Sequence, residues 1–420
     1  MTITPEETSV TNSPGLSRRG LFGLAGAAGL AIGAAGGVLG TLASTRAAAA
    51  ADSGATHAFF GAHQAGITTP VQDHLHFAAF DMADDATRDD LIELLQDWSY
   101  AASRMTQGLD TSASGAVGGS PDAPPDDTGE ALGLPASALT ITFGFGPGLF
   151  AREGDPFGIA DRRPDELERL PKFLGDDLTP ALSDGELCIQ ACSDDPQVAV
   201  HAIRNLTRIA FGRATIRWSQ LGFGRTSRTS AQQQTPRNLF GFKDGTANIL
   251  ADDADALGEH VWAGDDAGWL AGGSFLVARK IAMKIETWDR VRLSEQESII
   301  GRDKGEGAPL SGGAEETEPD FAGDAIPATS HVRLAHADQN AGTRILRRGY
   351  NYVDGNDELG QLSAGLFFLS YQRSPEQFIG LQRTLSTDAM NEYIRHIGSG
   401  IWAVPAGATE GSYVGASLFA

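Results

Sequence analysis

One order of predicted strands and helices occurs twice in this chain of 420 residues. In the first half, short apolar runs predict strands and apolar residues at helical spacing predict helices, in the order βαββαβ. The predicted strands cover residues 74–82, 138–146, 186–193 and 214–223. The predicted helices cover residues 87–105 and, with Asp194 as the N-terminal cap, the segment that ends at Ile209. This order is typical of a ferredoxin-like unit.

The second half repeats the order about 200 residues further on. Its predicted strands and helices cover residues 274–285, 287–300, 344–353, 365–372, 376–385 and 401–405. A chain of this length exceeds what one hydrophobic core usually supports. We therefore predict an α+β fold of two ferredoxin-like domains with antiparallel sheets, of the dimeric α+β barrel type. The predicted domains cover residues 52–225 and 226–420.

The first 51 residues are predicted to be a targeting segment rather than part of the fold. Paired arginines in Ser17–Gly23 precede a Gly/Ala/Leu run that reaches Ala43, and several A-x-A cleavage options follow. This pattern is typical of a twin-arginine signal peptide, with the translocase as an export partner. An uncleaved membrane anchor is the alternative, but the Gly/Ala-rich run makes stable membrane association the weaker interpretation. We therefore expect an extracellular or periplasmic protein.

The charge balance excludes some classes of partner. The chain has 54 acidic and 32 basic residues, a net charge of −22, which argues against nucleic acids and anionic membrane surfaces. Cys188 and Cys192 are its two cysteines, too few for a four-thiolate zinc or iron–sulfur site. On one strand they would lie roughly 13 Å apart, too far for a disulfide. No dinucleotide-binding, P-loop or zinc-protease motif occurs either.

Two polar insertions interrupt the repeated plan, Gln107–Gly133 and Gly305–Ala325. Both are rich in residues that favour loops, and we predict that they are solvated. The second insertion ends near His331, one of three dispersed residues that could carry chemistry. The other two are Asp244 and Arg347.

The motifs around these three residues identify a family resemblance. GFKDGTANI (241–249), SHVRL (330–334) and RILRRGYNY (344–352) resemble the motifs of dye-decolourising peroxidases, which are haem enzymes. The resemblance extends over nearly all of the chain after the signal segment. It is closest to the secreted bacterial type, related to the deferrochelatase and peroxidase group. The family shares a duplicated ferredoxin-like fold, in agreement with the repeat.

The resemblance implies a set of roles around haem b. His331 is expected to be the proximal ligand of the iron, with Asp244 and Arg347 on the distal face. An acidic residue late in the chain is expected to bond the ligand histidine, and we assign this role to Asp388, with Glu392 as the competitor. The implied activity is reduction of hydrogen peroxide coupled to oxidation of dyes, phenols or similar donors.

Elementary chemistry supports this division of roles. Cleavage of peroxide needs a group that moves a proton from the inner to the outer oxygen, and Asp244 is the candidate. Burial raises the pKa of such a carboxylate and a neighbouring guanidinium lowers it, and the sequence leaves the balance open. Arg347 stays charged and can stabilise the departing oxygen. Gly245 would let the backbone approach a flat cofactor, although a plain D-G turn is the alternative.

Haem carboxylates need basic partners. Lys243, Arg333 and Arg348 are the candidates because they adjoin the three central residues, and Gly245 and Thr246 complete the predicted cofactor-binding set. At least one of these cations could instead be a surface charge.

Several other residues leave alternatives open. His336 is a rival iron ligand, and His63 has no assigned role. Trp288, Tyr350, Tyr352 and Tyr371 could relay electrons from bulky dyes or could simply belong to the core. Release of iron from haem, and haem carriage without catalysis, are the alternative functions. The sequence leaves the oligomeric state open.

Overall fold

The first predicted strand lies between two partner strands. In the computed structural model of the protein, which describes residues 54–420, β1 (His74–Met82) pairs with β3 (Leu187–Ser193) and β4 (Ala214–Arg225). The fourth strand of this half, β2 (Thr140–Phe145), pairs with the other edge of β3. The order β2-β3-β1-β4 is that of a ferredoxin-like sheet.

The second half builds the same sheet from its own strands. These are β5 (Ser274–Met283), β7 (Tyr350–Asn356), β8 (Leu362–Gln372) and β9 (Ile394–Val404), in the order β9-β5-β8-β7. A two-residue strand, β6 (Leu346–Arg347), pairs with β8 beside β7. The predicted duplication is therefore confirmed.

The two sheets close into a barrel through their edge strands. Phe223 of β4 pairs with Asn351 of β7, and Phe145 of β2 pairs with Ala403 of β9. All pairings between these strands are antiparallel, as predicted. Apolar and aromatic side chains of both halves fill the interior, among them Phe77, Trp218, Tyr350, Phe367, Tyr371 and Trp402. The division between residues 225 and 226 stays a prediction.

Helices cover the outer faces of the two sheets, except for the third, which adds Ala256 and Leu257 to the interior cluster. They are α1 (Arg88–Met105), α2 (Pro196–Ile209), α3 (Ala254–His260), α4 (Ile285–Trp288), α5 (Leu293–Ile300), α6 (His331–Ala335) and α7 (Pro375–Thr384). Leu91, Leu94 and Trp98 of α1 are buried in one cluster with Ile203 and Leu206 of α2. The apolar residues at helical spacing thus form the buried faces of these two helices, as predicted.

Some predicted boundaries were wrong. The cap of α2 is Asp195 rather than Asp194, because the carboxylate of Asp195 accepts hydrogen bonds from the backbone amides of Gln197 and Val198. The carboxylate of Asp194 accepts one from the amide of Asp73 instead.

Two elements of the second half also differ from the prediction. The helix predicted over 287–300 is divided into α4 and α5, and the Gln296 side chain donates to the carbonyls of Trp288 and Val291 at the break. The strand predicted over 401–405 begins at Ile394, because β9 pairs with β5 along the whole of β5. The segment predicted as one strand over 344–353 forms β6 and β7.

The predicted signal peptide, residues 1–51, lies outside the described residues. Between residues 54 and 420, none of the helices combines the length and the apolar composition needed to cross a membrane.

Candidate active site

A cavity of ≈ 610 Å³ lies against the second sheet, on the face turned away from the barrel interior. Leu366 and Phe368 of β8 line it, whereas Phe367 between them belongs to the barrel core. The remaining apolar walls come from β5, β9 and α7, with Ile281, Met283, Ile394, Phe378 and Leu381. Its volume lies within the range of cofactor sites, about 300–1,000 Å³. All three central residues of the sequence prediction, Asp244, His331 and Arg347, line this cavity.

His331 is held through one of its two ring nitrogens. Its Nδ1 lies 2.6 Å from Oδ2 of Asp388, and the other oxygen of Asp388 accepts a hydrogen bond of 2.8 Å from the amide of Met390. Within residues 54–420, Nε2 of His331 makes no hydrogen bond, and 29 % of the side chain remains accessible at the cavity. In the neutral imidazole, a proton on Nδ1 that is bonded to a carboxylate leaves Nε2 unprotonated, and this nitrogen is then available to a metal.

The electrostatics of His331 reflect the carboxylates around it. Burial lowers the pKa of His331, but the Asp388 and Asp244 carboxylates together outweigh burial and the nearby charge of Arg347, so that the net pKa is raised. The Asp388 side chain is itself almost completely buried. Glu392, the competitor for this role, is exposed, and within residues 54–420 its side chain makes no hydrogen bond, while its backbone carbonyl accepts one from Lys284.

Asp244 and Arg347 form an ion pair in the same cavity. Nη1 of Arg347 donates to Oδ1 of Asp244 at 2.9 Å, and Nδ2 of Asn238 donates to Oδ2 at 3.2 Å. Both partners of the ion pair are partly buried. The carboxylate is therefore fixed through both oxygens while it still reaches the cavity.

Asn248 fixes the backbone of Arg347 and was missed in the sequence. Its Oδ1 accepts from the Arg347 amide at 2.7 Å, and its Nδ2 donates to the Arg347 carbonyl at 2.9 Å and to the Arg228 carbonyl at 2.8 Å. Asn248 stands four residues after Asp244, so one loop carries the acid and the clamp of its partner. The motif GFKDGTANI contains Asn248 but does not indicate this role, because the backbone that Asn248 holds lies 99 residues further along the chain.

His336, the rival ligand, also lines the cavity, but both of its nitrogens are engaged. Nε2 lies 2.7 Å from the Glu318 carboxylate, and Nδ1 accepts a hydrogen bond of 3.3 Å from the Asp338 amide. An Nδ1 that accepts from an amide leaves the proton on Nε2. Nε2 of His336 is thus occupied by Glu318, whereas Nε2 of His331 faces the cavity without a hydrogen-bond partner in residues 54–420.

The predicted cofactor-binding residues fall into two groups. Lys243, Gly245 and Thr246 line the cavity, and both polar side chains contact the acidic insertion through the partly buried Glu315. Burial raises the pKa of Glu315, but its hydrogen bond with Lys243 and those with other neighbours outweigh burial, so that the pKa is lowered overall. The insertion 305–325, predicted as a solvated loop, therefore supplies part of the cavity wall.

Arg333 and Arg348 lie outside the residues that line the cavity, and their role in cofactor binding stays a prediction. The guanidinium of Arg348 is fully buried and donates to Gln72 and to backbone carbonyls of residues 67–70. Arg333 donates to the Ile326 carbonyl and stacks on Phe321. Neither residue is among those that line the cavity.

The backbone conformation at position 245 itself requires a glycine. Its φ of +88° lies in the left-handed region, and a Cβ there would come within 2.7 Å of the Ser227 Cα. Only glycine adopts this conformation freely. Close approach to a cofactor therefore stays a prediction beside this backbone requirement.

The predicted relay residues are core side chains. Trp288, Tyr350, Tyr352 and Tyr371 are almost completely buried, and none lines the cavity between residues 54 and 420. His63 stacks on Trp262 with ring centroids 3.8 Å apart, outside the cavity.

Comparison with known proteins gives this site a family. The N-terminal model of Dyp-type peroxidases matches residues 64–224, and the C-terminal model matches residues 235–409. Deferrochelatase from Escherichia coli K12 is 36% identical over 378 residues, which cover 86% of each chain. The chain belongs to the Dyp-type peroxidase family.

Solved structures give the same result. The oxyferrous complex of DtpA from Streptomyces lividans has a TM-score of 0.80 and 38% identity, and covers 88% of this chain and 98% of that one. A DyP-type peroxidase from Cellulomonas bogoriensis has a TM-score of 0.77 and 37% identity, and the match covers 87% of this chain and 99% of that one.

A second sequence relative is deferrochelatase from Yersinia pseudotuberculosis. It is 36% identical over 382 residues, which cover 86% of this chain and 84% of that one.

As a Dyp-type peroxidase, the chain is a haem-dependent oxidoreductase that takes hydrogen peroxide and an electron donor as substrates. The cofactor of the family is haem b. The cavity fits this group, because it joins apolar walls, an available histidine nitrogen and a polar corner at Asp244 and Arg347. A neutral imidazole is a common axial ligand of haem iron.

Proposed function

We propose that His331 is the iron ligand of this peroxidase and that Asp244 and Arg347 act on hydrogen peroxide. The observation that carries this proposal is the contrast between the two histidines of the cavity. His331 offers a free Nε2 and has its Nδ1 on Asp388, whereas both nitrogens of His336 are engaged. When bound, haem supplies the iron centre that reduces peroxide and then oxidises the electron donors.

Asp244 is placed to move a proton. Its carboxylate faces the cavity and is oriented by Asn238 and Arg347, one on each oxygen. A carboxylate fixed in this way can accept the proton of the inner peroxide oxygen and return it to the outer oxygen without changing its own position. Asp244 thus acts as base and then as acid in one turnover.

Arg347 supplies a permanent positive charge beside that carboxylate. Its guanidinium can stabilise negative charge on the departing oxygen, and a preorganised cation is most effective when it needs no reorientation. Asn248 provides that order, since it holds both the amide and the carbonyl of Arg347.

Dyes, phenols and similar aromatic compounds are the proposed electron donors. We also propose that the protein is exported by the twin-arginine route to the periplasm or the cell exterior, on the basis of the paired arginines in Ser17–Gly23. The acidic net charge of −22 supports solubility there and disfavours nucleic acids as partners.

The matched variants His331→Ala and His336→Ala test the ligand. After haem reconstitution, His331→Ala should lose the Soret band of the wild type and its peroxide-dependent dye oxidation. His336→Ala should keep the band and oxidise dye at a rate close to that of the wild type. Loss of the band in His336→Ala alone would overturn the assignment.

Release of iron from haem is the second candidate, because curated relatives at 36% identity are named deferrochelatases. Product analysis separates the two functions. Incubation of the haem-loaded protein with reductant and a ferrous chelator should leave haem intact if peroxidation is the function. Metal-free protoporphyrin, formed by wild type but not by His331→Ala, would support iron release.

A further inference from the structure

Five basic side chains line the cavity, and their partners differ. Four of them form ion pairs within the chain, in the pairs Lys243–Glu315, Arg279–Asp176, Arg344–Asp253 and Arg347–Asp244. The fifth is Arg302. Within residues 54–420, no carboxylate lies at ion-pair distance from its guanidinium.

Arg302 is nevertheless buried, with 8% of its surface exposed. Its Nη1 donates to the carbonyls of Gly307 and Glu315, both at 2.7 Å. Nε and Nη2 make no hydrogen bond within the described part of the chain. One nitrogen is therefore fixed on the second insertion, while the rest of the guanidinium is unsatisfied at the cavity wall.

A buried cation without a counter-charge is costly, and proteins pair such groups. A guanidinium presents its N–H groups as a planar fork that matches a carboxylate. The group that fills this cavity brings carboxylates with it, since haem b carries two propionates. Within the described residues, the other lysine and arginine side chains of the cavity wall are in direct ion pairs, whereas Glu315, Glu316 and Glu318 act on Arg302 only from beyond ion-pair distance, so its guanidinium fork is left for the ligand.

We propose that Arg302 is the ion-pair partner of a haem propionate. This proposal rests on the proposed function, in which haem occupies the cavity on His331. It assigns to Arg302 the role that the sequence suggested for Arg333 and Arg348, neither of which lines the cavity. The carbonyls of Gly307 and Glu315 orient the guanidinium, so the insertion 305–325 contributes to cofactor binding through it.

A double comparison tests the ion pair. Wild type and Arg302→Gln are each reconstituted with haem and with haem dimethyl ester, whose propionates are uncharged. The rate of transfer to excess apomyoglobin is then measured. With haem, Arg302→Gln should lose the cofactor about tenfold faster or more, because a charge-assisted hydrogen bond is removed. With the dimethyl ester, the two proteins should lose it at similar rates.

Equal acceleration with both cofactors would overturn the proposal, since Arg302 would then act only through the loop that it holds. Arg333→Gln is the matched control and should leave both rates near those of the wild type. If Arg302→Gln fails to fold, Arg302→Lys tests the fork instead: it should still lose haem faster than the wild type while it loses the dimethyl ester at the wild-type rate, and equal changes with the two cofactors would overturn the proposal. Failure of the proposed function is distinguishable, since His331→Ala would then retain the Soret band whatever Arg302 does.

Discussion

The Asp388 carboxylate serves two partners, and this explains its control over His331. One oxygen caps the turn Ala389–Glu392 through the Met390 amide, and the other binds Nδ1 of His331. The first bond fixes the carboxylate, and the second fixes the tautomer and the orientation of the ring. Because Asp388 is 5% exposed, its charge is little screened by solvent.

Asp388→Asn should therefore make His331 a weaker electron donor to the iron without abolishing its binding. The amide can still accept from Nδ1–H, but the negative charge that makes the imidazole a stronger donor is lost. We expect dye oxidation to fall by about 10–100-fold and the reduction potential of the bound iron to rise. Spectroelectrochemistry and steady-state kinetics measure both. Glu392→Gln is the control, and an equal response of the two variants would refute the role of Asp388.

Sequence motifs could predict some residues of the site and not others. Asp244, His331 and Arg347 stand in motifs that mark them individually. Arg302 and Asn248 act through atoms that are brought to them by the fold, such as the carbonyls of Glu315 and Arg347. Their partners are 13 and 99 residues away, so no local pattern indicates them. The contacts of Arg348 were also not visible in the local sequence, because its guanidinium donates to Gln72 in a distant segment.

Among the elements, β1 carries a buried titratable group with an unmet polar atom. Nδ1 of His76 is buried without a hydrogen bond, and burial lowers the pKa of His76 to about 4. The unfolded chain keeps a pKa near 6.5. As the pH falls below 6.5, the unfolded chain binds a proton before the folded protein does. The contribution of neutral His76 to the free energy of unfolding is therefore fully present at neutral pH and is lost as the pH falls towards 4.

His76→Leu should remove this part of the acid sensitivity. Between about pH 7 and about pH 4.5, the free energy of unfolding of the wild type should fall by up to about 3 kcal/mol more than that of the variant. Denaturant titrations of both proteins at the two pH values measure the difference. His396 also has a lowered pKa but is unchanged in both proteins, so its contribution cancels. Parallel pH dependences would contradict the assignment to His76.

Element prediction succeeded where one periodicity decided the structure. Strand β1 runs from His74 to Met82 as predicted, because it lies centrally in its sheet and is paired on both sides. Helix 287–300 failed because a side chain, that of Gln296, takes over carbonyls that a continuous helix would use. Hydrogen bonds of this kind between a side chain and the backbone depend on the folded structure, and the spacing of apolar residues does not predict them.

At the scale of the whole molecule, the two halves share one core. Trp402 of the second half lies against Phe77 and Trp218 of the first, with ring centroids 5.4 and 6.3 Å apart. The barrel interior thus cannot be completed by either half alone. The described residues, 54–420, also belong to a single compact unit. The sequence predicted two ferredoxin-like domains, but how they share a core depends on edge pairings that no local pattern specifies.

This shared interior predicts cooperative unfolding. Trp402→Ala should lower the free energy of unfolding by about 3–5 kcal/mol, because it opens a cavity between the two sheets. Differential scanning calorimetry of the haem-free protein should show one transition that moves as a whole. Two transitions, of which only one shifts, would mean that the halves are independent domains.

The most direct test of the account is the reaction of the haem-loaded protein with hydrogen peroxide, followed by stopped-flow absorption at the Soret band. We expect Asp244→Asn and Arg347→Leu each to slow the change at least about 100-fold, since each removes a proton carrier or a charge stabiliser. Glu316→Gln, which also changes an acidic residue of the cavity, should react like the wild type. Unchanged rates in both Asp244→Asn and Arg347→Leu would contradict the proposed peroxide site.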